Sequence, residues 1–200
     1  MDRTFKALSA LLSYPTAKLQ QSIGDISEVL EAEDRIPIHV RNQLHALLME
    51  LVSGHLYDLQ GRYIFLFDRT RSLSLYLIDH AHRERGRATT EPGTAVGATE
   101  LPDYLPWFLE FLSPLPTSEA TELLQRRAHI FLMLAEGLRD CQSAYEAVFQ
   151  ALVALSAPQR THEASSSRLQ EPTKDTTAFD KSAKDQSTKF GLASPSAMTA

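Results

Sequence analysis

Apolar side chains recur at the spacing of one helix face, segment after segment, from Phe5 to Leu155. A period near 3.6 residues puts such positions on a single stripe, and a stripe is stable only when another element covers it. Phe5, Leu8, Leu11 and Leu12 form the first stripe, which Tyr14-Pro15 ends. Leu19, Ile23, Ile26, Val29 and Leu30 form the second, with Thr16 placed as its N-cap and Gly24 weakening its middle. Val40, Leu44, Leu47, Leu48 and Leu51 form the third, and Pro37 suits its first turn because a missing N–H costs nothing there. A chain patterned this way is expected to fold as an all-α protein, a single helical bundle.

One segment is ambiguous. Tyr63-Ile-Phe-Leu-Phe67 is short, apolar and aromatic enough for a strand. Nothing nearby supplies a partner strand, so helix is expected across Leu56 to Phe67. Asp68 or Thr70 is then expected to cap a helix from Arg71 to about His82. The pattern stops over 83–99, where Gly86, Pro92, Gly93 and Gly97 surround a single bulky apolar residue, Val96, and a mobile loop is expected. Helix resumes after Pro102 with Leu105, Phe108, Leu109 and Leu112, and stops at Pro114-Leu-Pro116. A long stripe follows through Leu123, Leu124, Ala128, Phe131, Leu134 and Leu138. A last helix opens on Ser143-Ala-Tyr-Glu146, the pattern of a capping box, and buries Tyr145, Val148, Phe149, Leu152 and Leu155. Beyond Pro158 the chain is rich in Ser, Thr, Lys and Asp, with too few bulky apolar residues to offset the entropy of ordering it. The expected organisation is a helical domain over 1–156 and a disordered tail over 157–200.

The formal net charge of −5 lacks the basic footprint of a nucleic-acid-binding surface. Cys141 is the only cysteine, so neither an internal disulfide nor a Cys-x-x-Cys metal site is available. It is expected at the end of a helix as an inert, partly buried thiol. The N-terminal residues lack the apolar core and small-residue cleavage site of a secretory signal, and no apolar run approaches the roughly 20 residues that span a bilayer. A cytoplasmic location is expected.

Catalytic equipment is scarce. Phosphate-cradling glycine loops, a His-Glu-x-x-His pair and a Gly-x-Ser-x-Gly elbow are all missing. His80 and His82 stand two apart, about 200° around a helix axis, so solvent-exposed capping is expected in place of metal chelation. No cofactor and no metal site are expected. Glu100, Asp103 and Glu110 are more suggestive. Asp103, just after Pro102, is placed to start a helix by meeting its free amides, or else to form a charged lip beside a groove. The aromatic sets Tyr57/Tyr63/Phe65/Phe67 and Tyr104/Trp107/Phe108/Phe111 likewise have two readings: ordinary core, or the wall of a groove that takes a partner's amphipathic segment.

Two stretches carry a family resemblance: Tyr63-Ile-Phe-Leu-Phe-Asp-Arg-Thr-Arg-Ser-Leu-Ser-Leu75 and Glu100-Leu-Pro-Asp-Tyr-Leu-Pro-Trp-Phe-Leu-Glu-Phe-Leu112. Both resemble the NarJ-type nitrate reductase molybdenum-cofactor assembly chaperones, the delta-subunit family. Phe5-Lys-x-Leu-x-x-Leu-Leu-x-Tyr-Pro15, Ala128-His-Ile-x-x-x-Leu134 and Glu171-Pro…Phe179-Asp-Lys are similar to other segments of that family. The resemblance implies packed helices of the redox-enzyme maturation chaperone type and no enzymatic activity. It implies that the partner is the apo catalytic (alpha) subunit of respiratory nitrate reductase, bound through its N-terminal peptide so that the molybdenum cofactor enters before membrane docking. The membrane is then met only through the reductase complex. Pro102-Asp103-Tyr104 matches the group's recurrent Pro-Asp-Tyr/His element. With the aromatic surplus beside it, the expected partner contacts are Pro102, Asp103, Tyr104, Trp107 and Phe108, joined by Asp68, Arg69 and Arg71 from the first motif. The chain departs from the pattern at Thr89 to Thr99, where the family's amphipathic helix gives way to a short Gly/Pro/Ala/Thr-rich run. The competing readings are a weakened paralogue of such a chaperone, a helical nucleic-acid-binding regulator and a small helical enzyme.

Overall fold

The computed structural model describes residues 2–80 and 101–157, all within one unit, Met1–Gln159. The expected loop at 83–99, His82 and the expected tail from residue 158 lie outside the described residues. Eight α-helices are built from the apolar stripes: α1 (Arg3–Leu11), α2 (Ala17–Ala32), α3 (Ile38–Ser53), α4 (Leu56–Tyr63), α5 (Leu105–Leu112), α6 (Thr117–Gln125), α7 (Ala128–Asp140) and α8 (Glu146–Ser156). Another helix begins at Leu77 and is described only to His80. Among the described residues there is no strand, and a single isolated bridge joins Tyr76 to Tyr104. The protein is all-α, as its apolar period requires.

The caps explain the starts. Asp2 accepts the Thr4 N–H at 3.1 Å, and Thr16 Oγ1 accepts the Leu19 N–H at 3.2 Å. Glu33, at the end of α2, adds a carboxylate to the start of α1, taking the amides of Arg3 at 2.9 Å and Thr4 at 2.8 Å. This negative group meets the positive end of α1 and ties the first two helices together. Arg35 pairs with Asp2 and lies over the Phe5 ring at 5.5 Å.

α1 packs on α2 and α5, α2 on α3, and α8 receives α3, α6 and α7. Phe5, Phe108, Phe131 and Phe149 have no exposed surface, and each such side chain contributes about 1.5–3 kcal/mol by burial. A buried hydrogen bond fixes α1 against α5: Ser9 Oγ donates to the Pro106 carbonyl at 2.9 Å.

Several local expectations give way to competing bonds. The helix expected from Arg71 to about His82 is instead a 3₁₀ turn over Arg71–Leu73, an extended run and a fresh helix start at Leu77. Ser74 interrupts it: Oγ accepts the Tyr76 N–H at 3.2 Å and donates to Asp79 Oδ2 at 2.6 Å, an alternative to the helical ladder. The long stripe from Leu123 to Leu138 is two helices, divided at Arg126–Arg127, where Arg127 leaves helical geometry and its guanidinium lies over the Phe108 ring at 4.4 Å. The capping box at Ser143 does not close. Ser143 Oγ accepts the Tyr145 N–H at 3.4 Å, while Glu146 accepts from Arg139 Nε at 2.9 Å and from Gln150, and so links α8 to α7. His80 is 1 % exposed instead of solvent-facing, with Nε2 2.8 Å from the Ser74 carbonyl. Cys141 caps the end of α7 as expected, but it is exposed.

Candidate functional site

α4 is followed without a break by a π-helical stretch, Ile64–Arg69. This looser turn keeps Leu66 and Phe67 in the core while Phe65, Asp68 and Arg69 face solvent. Thr70 Oγ1 donates to the Phe65 carbonyl at 2.8 Å, closing the end of the stretch. The 3₁₀ turn that follows buries Leu73 and exposes Arg71. Gly137 of α7 admits that turn, since a Cβ there would stand 2.8 Å from Leu73 Cδ2.

The extended run then meets the approach to α5. The Leu77 N–H donates to the Asp103 carbonyl and the Leu105 N–H to the Leu75 carbonyl, both at 2.9 Å. Tyr76 and Tyr104 are thus a non-hydrogen-bonded antiparallel pair, the kind that brings side chains closest. Their rings lie 5.2 Å apart, and Trp107 stands edge-on to Tyr104 at 5.6 Å. Asp103 Oδ1 accepts the Ile78 N–H at 2.7 Å. Its carboxylate therefore serves the helix that begins at Leu77, whereas α5 has Tyr104 as its N-cap and no side-chain cap hydrogen bond. The expectation that Asp103 starts its own helix is corrected to this cross-chain cap.

Beneath the surface pair lies Tyr63. Its hydroxyl donates to the Leu12 carbonyl at 2.8 Å and stands 3.3 Å from the Tyr104 hydroxyl. Its ring touches Tyr14 at 5.6 Å, Phe67 at 4.9 Å and Tyr145 at 6.3 Å. Burial, then the bond to Tyr104, holds the Tyr63 phenol well above its ordinary pKa, so it stays a neutral donor. Tyr145 is raised chiefly by burial as well.

The result is a connected run of rings. Trp107 is 65 % exposed and Tyr76 53 %; Tyr104 is half-buried, Ile78 and Phe111 on the same two segments are exposed, and Tyr14, whose ring touches Tyr63, is exposed as well. Of the residues expected to contact a partner, Pro102, Asp103 and Tyr104 are half-buried beside this surface and Trp107 forms part of it. Phe108 is not on it. With no exposed surface it belongs to the core beneath the site, turned about 100° around α5 from Trp107. Asp68, Arg69 and Arg71 are exposed on the adjoining stretch, and the Asp68 charge is felt at Tyr63. Arg127, over Phe108, has its pKa lowered by burial and by Arg126 and raised in part by Asp103; it keeps its charge at neutral pH. Tyr76, Ile78 and Tyr14 were not expected at the site.

This arrangement offers exposed aromatic faces beside the Asp103 carboxylate. Two clefts lie elsewhere: about 530 Å³ beside Asp2, Glu33, Arg35 and Pro114–Thr117, and about 300 Å³ between α2 and α3. Neither is lined by the ring residues. Among the described residues no cluster of His, Cys, Asp or Glu could hold a metal ion, and no helix is long and apolar enough to cross a membrane.

Fold and surface together define a class: an all-helical protein with an exposed aromatic run fixed by a pinned chain crossing. The chain is 36 % identical over 159 residues, 74 % of its length and 67 % of the relative's, to the nitrate reductase molybdenum cofactor assembly chaperone NarJ of Escherichia coli K12. It is 31 % identical over 161 residues, 76 % of its length and 67 % of the relative's, to the probable chaperone NarW of the same strain. The probable NarJ of Bacillus subtilis 168 is 27 % identical over 162 residues, 76 % of this chain and 86 % of that one. No family model matches the chain. At this identity and coverage, the chain belongs to the family of nitrate reductase molybdenum cofactor assembly chaperones.

Proposed function

We propose that this protein is a non-catalytic assembly chaperone that binds the apo catalytic (alpha) subunit of respiratory nitrate reductase in the cytoplasm. It holds the subunit through its N-terminal peptide, keeps it open to the molybdenum cofactor and delays its docking on the membrane. The cofactor is the subunit's cargo, and the chaperone meets the membrane only through the reductase complex. Family membership supports the reductase as partner. The observation that carries the binding role is the run Tyr76–Tyr104–Trp107, whose rings are contiguous at 5.2 and 5.6 Å while Tyr76 and Trp107 are exposed.

Asp103, Tyr104 and Trp107 are the proposed central contacts, with Pro102, Tyr76 and Ile78 around them and Asp68, Arg69 and Arg71 at the rim. An amphipathic helix of about four turns, roughly fifteen residues, is the kind of segment an exposed aromatic surface takes. Calorimetric titration with a peptide copying the start of the catalytic subunit is expected to show saturable binding with a negative heat-capacity change. Affinity should survive moderate salt, since rim charges alone are screened within about 10 Å. Absence of binding, or binding that disappears between low and physiological salt, overturns this reading.

A further inference from the structure

We infer that Tyr63 is a positioning residue that takes the only phenolic proton of Tyr104 and so presents Tyr104 to a partner as a hydrogen-bond acceptor. The inference rests on the peptide-binding role proposed above and adds the chemistry of one contact in it.

A phenol has one proton to give. The Tyr63 hydroxyl has two neighbours, the Leu12 carbonyl at 2.8 Å and the Tyr104 hydroxyl at 3.3 Å. A carbonyl cannot donate, so that contact is a bond only if Tyr63 donates to it. The shorter distance assigns the proton there. Cost points the same way, because Leu12 is fully buried and its carbonyl accepts no other bond among the described residues. Leaving it unpaired carries the whole desolvation penalty, whereas half-buried Tyr104 has other recourse. With Tyr63's proton committed, the 3.3 Å contact requires Tyr104 to donate inward.

The outward lone pairs of Tyr104 then accept only. Asp103, next in the chain, is also an acceptor through its carboxylate. A group that reaches the Tyr104 hydroxyl therefore needs an N–H or O–H, such as a backbone amide, a lysine, an arginine or an indole. A carbonyl or carboxylate placed there would face an oxygen it cannot bond. Turning the Tyr104 hydroxyl to suit an acceptor would abandon the bond to Tyr63.

Four proteins test this: the parent, Tyr63→Phe, Tyr104→Phe and the double variant, each titrated with the catalytic-subunit peptide. Tyr104→Phe is expected to weaken binding roughly fivefold and Tyr63→Phe roughly threefold, the range of one neutral hydrogen bond. In the Tyr104→Phe background Tyr63→Phe should change nothing, because its effect passes through the Tyr104 hydroxyl. Trp107 is the only tryptophan, so its emission in the free chain is a second readout. Tyr63→Phe should shift that emission in the parent and leave it unmoved in Tyr104→Phe. A merely structural role for Tyr63 would give equal effects in both backgrounds and overturns the inference. Equal affinity of parent and Tyr104→Phe also overturns it, and decides the matter even if Tyr63→Phe fails to fold. Both outcomes leave the chaperone reading intact, whereas a parent that does not bind the peptide removes that reading and this inference with it.

Discussion

Asp103 Oδ1 accepts the backbone N–H of Ile78 at 2.7 Å, a bond between residues 25 apart in the chain. It caps a helix to which Asp103 does not belong and locks the crossing that sets the Tyr76 and Tyr104 rings side by side. Asp103→Asn keeps an oxygen acceptor, so a stability loss of only about 0.3–1 kcal/mol is expected; Asp103→Ala removes the cap and should cost about 1–2 kcal/mol. If the carboxylate also meets the partner, Asp103→Asn lowers peptide affinity about tenfold, or 1.4 kcal/mol. Thermal melting and peptide titration of the same variants separate the two roles. Unchanged affinity would leave Asp103 a purely structural cap.

Neighbours on α5 should behave in opposite ways. Trp107 is largely solvent-exposed and Phe108 is wholly buried. Trp107→Ala is expected to change stability by no more than about 0.5 kcal/mol, while peptide affinity drops by about 2 kcal/mol, as for a central aromatic contact. Phe108→Ala should cost about 3–5 kcal/mol of stability, with affinity falling only as far as the folded fraction falls. Equal loss of melting temperature in both variants would contradict the placement of Trp107.

Acid should weaken the junction of α1 and α2. Burial opposes the charged form of Glu33, but the Thr4 hydroxyl, the Arg3 and Thr4 amides and the Arg3 charge outweigh it and hold the carboxyl below its ordinary 4.5. A depressed folded-state pKa contributes stability that is fully present above the unfolded value and is lost as pH falls through the folded one. The melting difference between the parent and Glu33→Gln should be constant from neutrality down to about pH 5 and shrink below 4.5. A difference independent of pH across that window would show that the Glu33 charge does not contribute.

The helices were legible because their apolar stripes are long and regular, as in Val40 to Leu51. The crossing at the site was not, although a trace of it exists. Leu73, Leu75 and Leu77 recur at every second position and all are buried, the period of an extended chain. That signal is three residues long and sits between two helical patterns, so the helix period masked it. Tyr76 and Ile78 reach the surface through this alternation. The aromatic sets were recognisable as a group, but sequence could not divide Trp107 from Phe108 without knowing how α5 is turned. Ser74 left the expected helix for bonds to Tyr76 and Asp79, Arg127 left its own to lie over Phe108, and Glu146 left the capping box for Arg139; such contacts leave no periodic mark.

The 3₁₀ turn over Arg71–Leu73 sets Leu73 against a glycine of α7. Gly137 lies inside α7, where alanine would ordinarily gain about 1 kcal/mol of helix propensity. A Cβ at that position would stand 2.8 Å from Leu73 Cδ2, and Leu73 is 2 % exposed, with little room to retreat. Overpacking of this kind costs about 1–3 kcal/mol, so Gly137→Ala is expected to destabilise by up to about 2 kcal/mol after the propensity gain. Leu73→Ala alone leaves a cavity worth about 2–5 kcal/mol. Combining the two should cost less than their sum, because the new methyl occupies part of the space the leucine vacates. Denaturant melts of the two single variants and the double give the coupling directly. Strict additivity would mean that Leu73 does not bear on Gly137, and that the turn carrying Arg71 is held by other contacts.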